Sequence, residues 1–84
     1  MIQNNICGKY LHFRSKKLYE VIGLARHSET LEEMVVYKAL YHCETFGDNQ
    51  IWVRPMKMFF EEVFHEGQMT PRFLKVDSDK TLNF

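Results

Sequence analysis

The sequence predicts a mostly-β single domain over residues 1–84, in its most economical form a small SH3-like barrel of five or six strands with one short helical turn. Two observations carry this. Short runs rich in β-branched and aromatic residues recur at roughly 8–12-residue spacing, separated by turn signals. The chain also lacks the alternation of strands with 10–15-residue helical patterns that marks a parallel sheet. Its 84 residues allow one core, and a 45% hydrophobic, 14% aromatic composition can fill it.

Tyr10–Phe13 is the first short strand. Leu18–His27 is the second and longer one. Both of its faces are apolar in the middle, so it bends or is covered twice, and Gly23 is where a bulge fits. Ser28-Glu29-Thr30 reads as a hairpin connection. A capping box from Thr30 to Glu33 is the rival reading, but Met34-Val35-Val36-Tyr37 is β-branched and aromatic and favours a strand. That third strand runs Met34–Tyr41, with Val35, Tyr37, Ala39 and Tyr41 on one face. His42–Gln50 is a polar loop turning at Gly47-Asp48-Asn49. Ile51–Arg54 is the fourth strand, ended by Pro55, which has no N–H for a ladder.

Two readings of the next stretch stay open. Met56, Phe59, Phe60, Val63 and Phe64 follow helical spacing, which makes the alternative an α+β domain with a helix over 55–66. The other reading is one helical turn through Phe59 and then a hairpin, Glu61–His65 with Pro71–Val76, turning near Glu66-Gly67. The ordered part is expected over about residues 9–76, with a polar tail over 77–84.

Eleven basic and eleven acidic side chains cancel, which excludes a strongly basic nucleic-acid binder and an acidic tail as descriptions of the whole chain. No apolar run approaches the roughly 20 residues of a membrane span, and the first residues lack the regions of a signal peptide. A cytoplasmic protein is the expectation. Cys7 and Cys43 are far apart and form no C-x-x-C pair. His12, His27, His42 and His65 show no close metal-ligand spacing, so neither a metal nor a cofactor is expected. Arg14, Lys16 and Lys17 form the one basic cluster, a solvated turn or a phosphate contact.

Several segments together resemble a known family. They are Tyr19-Glu20-Val21, Ala25-Arg26-His27-Ser28-Glu29-Thr30, Val35-Val36-Tyr37-Lys38-Ala39-Leu40-Tyr41, Trp52-Val53-Arg54-Pro55, Met58-Phe59 and Pro71-Arg72-Phe73. In this order and spacing the chain is similar, over about Lys9 to Val76, to a small bacterial family, the domain of unknown function numbered sixteen-fifty-three. The resemblance implies the turn-plus-hairpin reading after Pro55 and a bacterial cytosolic setting. It implies no reaction. Two departures fall in turns: Ser15-Lys16-Lys17 replaces a usual glycine, and Glu66-Gly67 replaces a frequent Asp-Gly.

The candidate ligand-binding residues are His27, Glu29, Tyr37, Tyr41, Trp52, Arg54 and Arg72. Trp52 and Arg54 share a strand face, offering a stacking surface beside a cationic fork. Tyr37 and Tyr41 share another, with small Ala39 between them. Together with Tyr19, His27, Trp52 and Arg54 they could line one concave barrel face. Arg72 is either a second anion contact or a salt-bridge partner. His27 with Glu29 has the composition of a proton-handling pair, or of a plain turn.

The leading expectation is a non-catalytic binding module for a small anionic ligand such as a nucleotide, for single-stranded nucleic acid or for a peptide, as a monomer or weak homodimer. Near-zero net charge weighs against tight non-specific nucleic-acid binding. A small enzyme acting on an anionic metabolite through His27 and Glu29 is the second reading. A structural interaction domain using Phe59, Phe60 and Phe64 as an apolar face is the third.

Overall fold

The computed structural model describes residues 6–76; the polar tail expected over 77–84 lies outside the described residues. Nine strands and one helical turn follow in order: β1 (Gly8–His12), β2 (Leu18–Arg26), β3 (Glu33–Ala39), β4 (His42–Cys43), β5 (Gly47–Asp48), β6 (Ile51–Pro55), α1 (Met56–Phe59), β7 (Glu62–His65), β8 (Gln68–Pro71) and β9 (Phe73–Val76). Five of them form one antiparallel sheet in the order β6-β3-β2-β1-β9, and β4-β5 and β7-β8 are separate hairpins. The domain is thus mostly β, but the expected barrel closure is corrected. Among the described residues no ladder joins the edge strands β6 and β9. Pro55 ends β6 and sends the chain into α1, so Phe59 plugs the concave side where a further strand would have closed it.

Alternation sets the two faces. Val35, Tyr37 and Ala39 of β3 are buried, as are Tyr10 and Val21. Register places Tyr19 beside Tyr10 and Ala39, and Trp52 beside Tyr37. In β2 the register shifts between Val21 and Gly23, so Leu24 stands opposite core Val35. This bulge is why both faces of β2 read as apolar: the core-facing phase changes partway along the strand.

Phe59 and Phe73 are stacked at the centre, with ring centroids 4.1 Å apart and planes 3° apart. Tyr10, Tyr19, Tyr37 and Phe60 surround them edge-on. Each core phenol finds a polar partner, as a hydroxyl out of water requires. Tyr10 donates to the Ile6 carbonyl at 2.8 Å, Tyr19 and Tyr41 share a 2.6 Å bond, and Tyr37 accepts from Arg54 Nε at 3.4 Å.

After Pro55 the helical periodicity is overridden, and the helix over 55–66 is replaced by one turn. Glu66 and Gly67 both have positive φ, 52° and 86°, the pair that a tight two-residue hairpin demands. That turn commits Glu62–His65 to pairing with Gln68–Pro71. Arg72 strengthens the choice: its backbone N–H reaches the Glu61 carbonyl at 3.0 Å, and its Nε donates to the Met58 carbonyl at 3.2 Å. The partner strand of the hairpin is therefore Gln68–Pro71, while Phe73–Val76, expected to belong to it, pairs with β1. Phe59 is fully buried, so the expected Phe59–Phe60–Phe64 face does not exist as an exposed surface; Phe64 is 72% exposed.

The β1–β2 and β2–β3 connections are the same turn built twice. In each, a histidine at the strand end presents its ring Nδ1 to two backbone N–H groups. His12 accepts from Arg14 and Ser15 (3.2 and 3.3 Å), and His27 from Glu29 and Thr30 (3.1 and 3.3 Å). The hydroxyls of Ser15 and Thr30 each accept the N–H two residues on, at 3.2 Å. The histidine backbones close the loops onto Lys16–Lys17 and Leu31–Glu32. In both turns the fifth residue is left-handed: Lys16 at φ 60° and Leu31 at φ 66°. Leu31 is 62% exposed, so it gains little packing in return for that strain. Leu31→Gly is expected to raise stability by about 0.5 kcal/mol, strain relief outweighing glycine's entropy cost. A urea midpoint that rises with unchanged slope checks this.

Candidate functional site

The inner sheet face opens to solvent at its β6 side. Tyr19, Tyr37, Trp52 and Arg54 line a cleft there of about 200 Å³. Adjacent strands supply these residues at matched register, so the cleft is a direct product of alternation on β2, β3 and β6. Trp52 is half-buried and meets the exposed Phe46 ring edge-on at 5.5 Å. Tyr41 touches the site through its hydroxyl bond to Tyr19.

Arg54 is the chemically distinctive member. It is half-buried, and its guanidinium carbon lies 5.7 Å from the centre of the Phe73 ring. Its Nε makes the long bond to Tyr37, and among the described residues it has no carboxylate partner. Charged side chains held partly out of water are normally paired. Burial pushes the Tyr19 phenol up, and its bond to Tyr41 pushes in the same direction. The Tyr19 phenol beside Arg54 therefore stays neutral at ordinary pH and offers no countercharge.

Sequence reasoning missed His12. Its ring packs edge-on against Phe73 at 5.0 Å, the ring under Arg54. Burial holds the His12 imidazole below its usual range, and the charges of Arg54, Arg72 and Arg14 add to this. The signal that could have found it is the repeated spacing His12-x-x-Ser15 and His27-x-x-Thr30. Because the fold favours neutral His12, its contribution to stability is complete above about pH 6.5 and declines as pH falls below that value. His12→Asn keeps an acceptor for the turn but does not titrate. The stability difference between wild type and His12→Asn is expected to move against wild type on acidification from pH 7 to 5, which urea titrations at several pH values will read.

The remaining candidates lie elsewhere. Arg72 is ion-paired to Glu61 at 3.2 Å and bonded to the Met58 carbonyl, so it positions α1 against the hairpin. His27 and Glu29 are exposed on the β2–β3 turn, eight residues along β2 from Tyr19, or roughly 25 Å. There His27 Nδ1 accepts from the backbone N–H groups of Glu29 and Thr30.

Fold and cleft together define a small antiparallel β domain with an aromatic cleft around one arginine. The chain belongs to the DUF1653 family, proteins of unknown function, whose family model matches residues 8–75. It is similar to a crystal structure of a protein of this family from Bordetella bronchiseptica, at 33% identity, with 83% of this chain and 85% of that chain covered and a TM-score of 0.73. No curated protein matches the chain significantly.

Proposed function

We propose that the protein is a non-catalytic binding module whose aromatic cleft takes the phosphate-bearing end of a nucleotide or of a single nucleic-acid strand. The observation that carries this reading is the half-buried Arg54 guanidinium, which lines the cleft with Tyr19, Tyr37 and Trp52, lies over the Phe73 ring and has no carboxylate partner among the described residues. A guanidinium fork matches phosphate geometry, and a base stacks on an aromatic face without sequence preference. A volume near 200 Å³ is below that of whole-ligand pockets and suits one ring or one phosphate, with the rest of the ligand in solvent. The exposed His27 and Glu29, held in a turn motif that His12 repeats, give the enzymatic reading less support.

The test is an amide and side-chain NMR titration with AMP, adenosine and inorganic phosphate in parallel. AMP should move the Trp52 indole, the Arg54 Nε–H and the amides of Tyr19 and Tyr37, more strongly than either fragment. If none of these resonances moves at millimolar AMP, the reading is wrong.

A further inference from the structure

A second cleft, of about 450 Å³, opens on the other side of the sheet. Tyr10 and Phe73 point into the core, so their strand neighbours Leu11 and Leu74, which are register partners, point away from it. They form the cleft floor. One wall is the β1–β2 turn and the other is the β7–β8 hairpin. This volume lies in the range of ligand sites, unlike that of the aromatic cleft.

The two walls differ in charge. The turn contributes Arg14 and Lys16, both exposed, and among the described residues neither has a carboxylate partner. Arg14 lies 5.6 Å from the Phe13 ring centre, which holds the guanidinium over the cleft's own aromatic side chain. The His12 ring fixes the backbone beneath both cations. On the hairpin wall Glu66 faces His65 at 3.6 Å, and Gln68 and Thr70 supply neutral donors and acceptors.

We propose that this cleft is a second binding site, for an acidic peptide segment of a partner protein. An apolar side chain of that segment lies on Leu11, Phe13 and Leu74, and a neighbouring carboxylate lies at Arg14 and Lys16. Three features favour a peptide over a nucleic-acid strand. The Leu11–Leu74 floor is aliphatic, and the two rings in the lining, Phe13 and His65, meet edge-on and do not form a row of stacking faces. The Glu66 carboxylate on the far wall repels a continuous phosphate backbone. Gln68 and Thr70 match the donors and acceptors of peptide groups. The cationic wall supplies the charge complementarity that selects an acidic partner.

The experiment is an NMR titration of the whole chain with acetyl-Glu-Leu-Glu-amide, acetyl-Gln-Leu-Gln-amide, inorganic phosphate and a thymidine hexanucleotide. The acidic peptide is expected to shift the amides of Leu11, Phe13, Arg14 and Thr70, with the glutamine peptide at least tenfold weaker. Arg14→Gln combined with Lys16→Gln should remove the response and leave the rest of the spectrum in place. Arg54→Met should leave it unchanged, which separates this site from the aromatic cleft. No shift with the acidic peptide, an equal response to the glutamine peptide, or a stronger response to phosphate or the hexanucleotide would each overturn the proposal.

Discussion

Replacing Phe59 by alanine is expected to cost about 3–5 kcal/mol. The ring is fully buried, lies flat on Phe73 and touches Tyr10 and Tyr37 edge-on at 5.3 and 5.1 Å. Alanine would remove the fully buried side chain that α1 lays against the inner face of the sheet. The cavity could collapse only in part, because Tyr10 and Tyr37 in its wall belong to strands held by ladders on both sides. A domain of this size has a total stability of about 4–13 kcal/mol, so the variant should be largely unfolded or close to it. Phe64→Ala is the internal control: Phe64 sits at a helical spacing from Phe59 but is mostly exposed, and should change stability by less than about 0.5 kcal/mol. Urea titrations of the two variants check both values. A loss below about 1 kcal/mol for Phe59→Ala would mean that α1 does not belong to the core.

Arg54→Met should weaken AMP binding at least tenfold while leaving stability within about 1 kcal/mol of wild type. The substitution keeps an unbranched side chain against Phe73 and removes a half-buried charge that has no carboxylate partner among the described residues. Removing such a charge can offset the lost contacts. Arg54→Lys should fall between the two, since it keeps the charge but loses the planar fork. Calorimetric titration with AMP, beside urea titration of each variant, gives both quantities. A stability loss above 2 kcal/mol for Arg54→Met would show that Arg54 is structural and that the cleft is packing.

Sequence and structure agree where the signal is local. Val35, Tyr37 and Ala39 alternate with Met34, Val36 and Lys38, and that two-residue period placed β3 and its buried face. Gly23 marked the bulge in β2. Trp52 and Arg54 were legible as a pair because residues two apart on a strand share a face. Tyr37 and Trp52 were candidates for one site only through an expected concave face that also took in His27, and their pairing comes from the register of β3 with β6. Arg72 and His27 looked like site residues on chemistry alone; their distance from the cleft depends on which loops carry them.

The sequence by itself determined the mostly-β class and the inward-facing alternation of β3, which follow from a two-residue period, while the Glu66-Gly67 turn was one of two open readings, supported by the family resemblance and not by periodicity. Only the tertiary structure decided three further matters. It ended the helix after one turn, because hairpin pairing and the Arg72 contacts satisfy backbone groups that a longer helix would have satisfied internally. It left the sheet open, because Phe59 fills the concave side in place of a closing ladder. It also left Arg54 half-buried with no carboxylate partner among the described residues, which is a property of everything packed around it.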